Sequence, residues 1–436
     1  MLAGHGVTEA SFDTPGCLCD VRPVLPAEQL IALQPPPPGP SVAFTLRLGQ
    51  ALHRYGTPAH RLEEQMRLVS QRLGLEARFF STPTSIFASF GPPEALQTCL
   101  IRVEPGDMDL GRLARLDSLA DAVIRGDLSP EEGAGRVEAV LAEPPRYGTV
   151  LLLLCWALAA VGGARLFGGG PREMGVAALI SLLVGGLDIW TRRQPSTVWV
   201  LEPVAAILSS ALAVVAASLV GPLSVQIVTL AGLIVLLPGL SLTVALNELA
   251  TRNLISGTSR LTGAALVFLE LGFGVALGTR LAAWFPLPAK LGPLPALPAW
   301  TEPLALVSML FAVSVIFRAR PRDWGWITVA GTLAYAGSRL GTQVLGPQLG
   351  AFVGALIVGI VTNLLARVRN RPAVITLVPA IMLLVPGSIG FRSMESLLAR
   401  DVLAGVDTAF SMLMVAVALV AGLLFANALV QPRKVL

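Results

Sequence analysis

The sequence predicts an α-helical polytopic membrane protein of about ten transmembrane helices in two inverted five-helix repeats, preceded by a small N-terminal α+β cytoplasmic domain. Three observations predict it. Only 14% of the 436 residues are charged while 54% are hydrophobic, whereas soluble domains carry about 25% charged residues. The charges crowd into residues 41–146, and beyond Tyr147 the chain is mostly Leu, Val, Ala and Gly. Finally, a Leu-Pro-Gly element near the end of one apolar stretch recurs near the end of another.

Residues 1–40 show no hydrophobic period and end in Gln34-Pro35-Pro36-Pro37-Pro38-Gly39-Pro40, a polyproline spacer that builds no core and reads as a disordered tail. Met1 to Gln34 lacks the basic start and continuous apolar run of a secretory signal, so the following domain is expected to stay in the cytoplasm. The net charge of +4 fits basic loops at a membrane surface better than a nucleic-acid partner. Cys17 and Cys19 form a Cys-x-Cys pair with too few further ligands at metal-site spacing, so reduced thiols, no metal and no cofactor are expected.

Residues 41–146 read as one domain. Phe44, Leu48, Ala51, Leu52 and Tyr55 share a helical face stopped at Gly56; Pro58 opens a second helix that carries Leu62, Met66, Val69 and Leu73 inward and stops at Gly74. Strand-like runs follow at 77–81, 85–90 and 96–103, broken by Thr82-Pro83-Thr84 and Gly91-Pro92-Pro93. Two helices close the domain, about 110–125 and 129–142, the second with Ser129 as N-cap, Pro130 at N1 and Glu132 at N3.

Crossing the hydrocarbon core takes about 20 apolar residues. Spans are expected near 147–168, 173–190, 197–220, 222–240 and 261–284, forming a first half over 147–285, and near 302–318, 324–344, 348–367, 372–388 and 405–430, forming a second half over 302–436. A proline-rich external loop, 286–301, joins them. With the N-terminal domain and the C-terminus both cytoplasmic, the inner loops hold Arg192, Arg193, Arg252, Arg260, Arg318, Arg320, Arg322, Arg367, Arg369, Arg371, Arg433 and Lys434. The outer side holds only Arg165, Arg172, Arg280, Lys290, Arg339, Arg392 and Arg400, the bias that favours this orientation.

Leu236-Leu237-Pro238-Gly239 recurs as Leu384-Val385-Pro386-Gly387. A carboxylate follows each (Glu248, Glu395), and then a glycine that opens the next span (Gly257, Gly405). Five spans per half is an odd number, so the halves face opposite ways. Inverted repeats of this kind place a substrate site at their interface, where discontinuous helices offer free backbone groups.

No phosphate-binding Gly-rich loop is present, so uphill transport would draw on an ion gradient. The three histidines, His5, His53 and His60, all precede the spans, which leaves carboxylates for a proton relay. Glu270, mid-span in Phe268-Leu269-Glu270-Leu271-Gly272, is the leading coupling candidate; Glu202, Asp188 and Glu248 are further ones that solvation at the headgroups would also explain. Pro238, Gly239, Ser241, Asn247, Asn363, Pro386 and Gly387 complete the candidate substrate and coupling residues, together with Asn427 and Thr243 as polar groups that would serve either ligand or packing. His60, Glu63, Glu64, Thr82, Thr84 and Ser85 lack the context of a hydrolase triad, so no enzyme is expected.

The assembled residues resemble the threonine/serine exporter (ThrE) family. The likeness lies in Leu52-His53-Arg54-Tyr55-Gly56-Thr57-Pro58-Ala59-His60-Arg61-Leu62-Glu63, in Phe80-Ser81-Thr82-Pro83-Thr84-Ser85-Ile86-Phe87, and in Leu237-Pro238-Gly239 through Asn247-Glu248-Leu249 to Ser256-Gly257 and Arg260-Leu261. It covers about residues 41–430 and looks like a fused form of two halves that some relatives keep separate. The resemblance implies an inner-membrane carrier exporting threonine and serine on the proton motive force. Its partners would be small-molecule substrate, protons and lipid; assembly as a homo-oligomer is left open. Two features depart from the resemblance: residues 1–40 match no counterpart in the family, and the segment 281–300, with five prolines, is an unusual external loop.

Two other functions compete. A dicarboxylate exporter would favour cations inside the cavity, and the spans carry few beyond Arg280 and Arg339. A membrane-anchored enzyme or sensor would need one span, not ten with a duplicated Pro-Gly element.

Overall fold

The computed structural model describes residues 39–104, 106–284, 297–369 and 371–431. The expected N-terminal tail with Cys17 and Cys19, most of the loop 286–301, and the last residues with Arg433 and Lys434 lie outside the described residues. From Pro40 onward the chain forms one unit.

Its first part follows the turn and cap residues closely. Helices α1 (Pro40–Arg54) and α2 (Ala59–Arg72) precede strands β1 (Ala77–Thr82), β2 (Ser85–Phe90) and β3 (Gln97–Arg102). The strands form an antiparallel meander in the order β1-β2-β3, with Thr82 paired to Ser85 across the first turn and Phe90 to Gln97 across the second connection. Helices α3 (Leu110–Arg125) and α4 (Pro130–Ala142) complete this part. Helix α4 starts in a capping box: Glu132 N–H donates to Ser129 Oγ at 3.2 Å, and Ser129 N–H donates to Glu132 Oε2 at 3.0 Å. Helix α3 ends on Gly126 at φ +81°, a left-handed cap that glycine adopts without penalty.

Phe44, Leu48, Leu52, Leu62, Met66 and Ile86 have no accessible surface. The same apolar cluster runs on through Leu310, Ile327 and Ile375 of the later helices. The N-terminal elements therefore share a core with the apolar part.

Twelve helices follow among the described residues: α5 (Thr149–Leu166), α6 (Pro171–Thr191), α7 (Leu201–Val220), α8 (Val225–Gly232), α9 (Gly239–Ala250), α10 (Leu254–Leu281), α11 (Thr301–Ile316), α12 (Pro321–Leu345), α13 (Pro347–Arg369), α14 (Val374–Ile381), α15 (Gly387–Leu398) and α16 (Val402–Leu429). Six of them, α5, α6, α7, α10, α13 and α16, are long and apolar enough to cross a membrane. At most half of each is buried inside the protein, and Phe273, Leu403, Phe410 and Phe425 are among the large side chains left exposed. Apolar helices with uncovered apolar faces need lipid as their solvent, so the chain is a multi-pass membrane protein.

The structure corrects two expected elements. The stretches 222–240 and 372–388 are not single helices. Each is an eight-residue helix (α8, α14), a turn ending in proline, and a twelve-residue helix starting at glycine (α9, α15). Proline has no N–H to donate and its ring crowds the carbonyl four residues back, so Pro238 and Pro386 divide runs that hydropathy alone reads as continuous.

Two successive elements recur at a fixed spacing. Gly239–Ala250 recurs as Gly387–Leu398 and Leu254–Leu281 as Val402–Leu429, both 148 residues on. Backbone angles repeat as well: Pro238 and Pro386 both have φ −81° and ψ 30°, and Arg252 and Arg400 both have φ 65°. Packing is exchanged between the halves, with α9 against α16, α10 against α15, α5 against α11, and α9 against α15.

Candidate functional site

The two proline breaks meet. A Cβ on Gly239 would lie 2.3 Å from Val385 Cγ1, 2.8 Å from the Gly387 nitrogen and 3.0 Å from Gly387 Cα. The starts of α9 and α15 thus touch backbone to backbone, which only residues without a side chain allow. Both helices have proline as N-cap, and neither has a side-chain cap. Among the described residues no acceptor takes the first amides of either helix. Uncapped amides at a helix start carry partial positive charge.

These amides border a cavity of about 250 Å³. Its wall includes Gly239, Leu240, Gly387 and Ser388 from the breaks, Gly163 and Phe167 from the α5 end, and Met309 and Val313 from α11. Tyr335 of α12 is its largest polar side chain. Tyr335 Oη donates to Glu302 Oε1 at 2.5 Å, and Arg339 Nη1 donates to the same oxygen at 2.8 Å. The cavity is otherwise apolar, a space in which few polar groups would set a ligand's orientation.

A second cavity of about 380 Å³ shares Leu240 with the first and lies beneath α2. It is lined by Thr243 and Asn247 of α9, Asn363 of α13, Asn427 of α16, and His60, Arg61 and Glu64 of α2. Asn363 Nδ2 donates to Asn427 Oδ1 at 2.9 Å and to Val430 O at 2.8 Å. Thr243 Oγ1 donates to Gly239 O at 3.0 Å, tying this wall to the break. Burial pushes His60 down to about 4, with the Arg61 charge adding to the effect, so His60 is neutral near pH 7. Burial also lowers Arg61, while Glu64 pulls it back up.

The residues singled out from sequence thus separate. Gly239 and Gly387 come together at the first cavity, each directly after its proline, Pro238 or Pro386, and Asn247 and Asn363 line the second. Ser241 is exposed and lines neither cavity. Glu248 has no accessible surface. Its Oε1 accepts from Ala59 N–H at 2.9 Å, its Oε2 accepts from Ser256 Oγ at 2.8 Å, and Arg260 Nε lies 3.0 Å away. It therefore clasps the start of α2 to α9 and α10 rather than sitting solvated at the headgroups.

The matching carboxylate is not its equivalent. A shift of 148 residues sets Glu248 against Ser396, while Glu395 accepts instead from Gln226 Nε2 at 2.7 Å. Asp188 is buried and accepts from Arg192 Nε at 2.7 Å. Glu202 of α7 and Glu270 of α10 are partly buried and act on each other as like charges; neither lines a cavity. Gly274, one turn after Glu270, packs on Pro203 O and Ala206, which sets the pair at one level of the α7–α10 contact.

Sequence reading missed Tyr335 and Arg61 and set aside His60. Tyr335 gave no signal because a tyrosine in an apolar helix is ordinary. His60 and Arg61 reach a cavity only through the seating of the start of α2 on α9, where Ala59 N–H meets Glu248, 189 residues away in sequence.

Two family models cover the chain in order, one for a threonine/serine exporter (ThrE) over residues 43–282 and the other, "Threonine/Serine exporter, ThrE", over residues 304–429. The chain belongs to the threonine/serine exporter family. Both halves of this exporter family are fused here, and their junction falls between α10 and α11. Similar proteins include "Pheromone-regulated membrane protein 10" of Saccharomyces cerevisiae, 26% identical over 374 residues, or 82% of this chain and 47% of that one. The protein of the same name from Zygosaccharomyces rouxii is 29% identical, covering 80% of this chain and 37% of that one. That from Candida albicans (strain WO-1) is 27% identical, covering 80% and 33%. The chain therefore spans half or less of the length of these curated relatives. No solved structure matches it.

Proposed function

We propose that this protein is a proton-motive-force-driven exporter of small hydroxy amino acids, threonine and serine, sited in the inner (plasma) membrane with its N-terminal domain and C-terminus on the cytoplasmic side. In this reading the ten membrane crossings are α5, α6, α7, the α8–α9 pair and α10, then α11, α12, α13, the α14–α15 pair and α16. The halves are inverted repeats. The observation that carries the reading is the meeting of two uncapped half-helix starts at a largely apolar cavity between the halves. Backbone groups freed at membrane depth are tolerated where they line such a space, and helix starts pointing into it suit a carboxylate.

Residues 40–142 form the cytoplasmic domain, and the cavity beneath α2 is the vestibule through which substrate enters. Leu240, common to both cavities, stands between vestibule and centre. On the far side, Tyr335 with Glu302 and Arg339 closes the centre. Alternating access then moves the two half-helix pairs about the Gly239–Gly387 contact. Glu270 takes the coupling proton. A second carboxylate, Glu202, acts on it across the α7–α10 contact, and ionisable groups held within spans by default mark function.

Flux of labelled threonine, serine and succinate in vesicles carrying the purified protein, with and without a pH gradient, tests this. Threonine and serine flux that follows the gradient supports the reading. Succinate flux in their place would replace the substrate by a dicarboxylate, and no gradient-dependent flux of any of the three would reject the function.

A further inference from the structure

The vestibule holds one cation that its surroundings leave unanswered. Arg61 Nη1 is buried and has no hydrogen-bond partner, and Arg61 makes no ion pair among the described residues. The other charged group in this wall, Glu64, is exposed and acts on Arg61 without closing an ion pair. Opposite them stand Asn247, Asn363 and Asn427 from three different helices. A buried guanidinium group with an open donor is costly unless something fills it, and the planar fork of arginine suits a carboxylate.

We infer that Arg61 is the carboxylate-binding residue of an entry site, so that the N-terminal domain itself contributes part of the substrate site in the vestibule. The ligand class is a small carboxylate. Its carboxylate meets Arg61, while the rest of the molecule reaches the carboxamide oxygens of Asn247 and Asn363. Asn363 Nδ2 is already committed to Asn427 and Val430, so its oxygen is the atom of that carboxamide left to accept from an ammonium or hydroxyl group. Substrate arriving here lies one side chain, Leu240, from the break.

This inference rests on the exporter reading, and the test separates the two. The full-length protein, wild type and Arg61→Gln and Arg61→Lys variants, is purified and placed in vesicles, and concentration series of threonine and of threoninamide are run. Arg67→Gln, an exposed change two turns along α2, serves as control. A hydrogen bond to a charged group is worth ~1.5–3 kcal/mol, so Arg61→Gln should raise the KM for threonine roughly ten- to hundred-fold with kcat little changed. Arg61→Lys should recover part of that loss, and threoninamide, which has no carboxylate, should move less than about two-fold between wild type and Arg61→Gln.

Equal threonine KM in wild type and Arg61→Gln overturns the assignment and leaves the exporter reading standing. Should Arg61→Gln fail to fold, the wild type still decides: a threoninamide KM equal to that of threonine also overturns the assignment. Wild-type vesicles that carry neither compound overturn both.

Discussion

Adding one methyl group where the two breaks touch should uncouple stability from transport in an unequal way. Gly239→Ala puts a Cβ at 2.3 Å from Val385 Cγ1, 2.8 Å from the Gly387 nitrogen and 3.0 Å from Gly387 Cα. The first contact is with a side-chain end that could turn away. The other two are backbone and cannot. Gly387→Ala places its Cβ at 3.2 Å from Leu237 Cβ and 3.4 Å from Gly239 Cα, a gap that neighbours yielding by a few tenths of an ångström would open. Neither glycine has a positive φ, so the difference is steric and not one of backbone preference.

Overpacking of this kind costs about 1–3 kcal/mol. Gly239→Ala should therefore lower stability by that order and cut threonine flux at least about ten-fold, since the contact it forces apart is the proposed pivot. Gly387→Ala should cost less than about 1 kcal/mol and keep most of the flux. Adding Val385→Ala to Gly239→Ala relieves only the shortest contact, so rescue should be partial. Thermal unfolding in detergent and initial rates in vesicles measure both quantities. Wild-type flux in Gly239→Ala, or a larger loss in Gly387→Ala, would refute the reasoning.

Other outcomes follow from the buried charges. Glu248→Ala leaves Arg260, Ser256 and the Ala59 amide without their acceptor, and removing one member of a buried pair costs about 3–5 kcal/mol; proteolysis should then cut sooner between α1 and α3, and unchanged protection would remove the clasp. Glu270→Gln should abolish the dependence of flux on the pH gradient while downhill exchange persists, and full gradient dependence in the variant would reject Glu270 as the coupling group. His60 has its folded value lowered to about 4 by burial from an ordinary ~6.5. Its contribution is therefore fully present above pH ~6.5 and is lost as pH falls toward 4, about 3 kcal/mol in all. His60→Gln should flatten the fall in melting temperature across that window, and an identical pH profile in the variant would count against it.

Much of the local structure was legible because it is decided by near neighbours. Ser129, Pro130 and Glu132 announce the start of α4, and Thr82-Pro83-Thr84 the first strand turn, through contacts within four residues. The pairing of Pro238-Gly239 with Pro386-Gly387 could be suspected from their spacing. That each marks a gap within a crossing could not, because a half-helix of Val, Leu and Ile has the same hydropathy as a whole one. The site was legible only where a residue is unusual in itself. Glycine after proline stands out; Tyr335 and Arg61 do not, since their importance comes from distant segments packing on them. Glu248 was misjudged for the same reason: nothing nearby in sequence tells that α2 will cover it.

The contact between the two breaks has an electrostatic side. Each helix start carries roughly half an elementary positive charge, and the two touch backbone to backbone. For two such half charges roughly 5 Å apart at an effective dielectric of about 20, Coulomb repulsion is about 1 kcal/mol. The fold thus holds two like partial charges against each other, a load that the packing of α9 on α15 and of both on their neighbours has to carry.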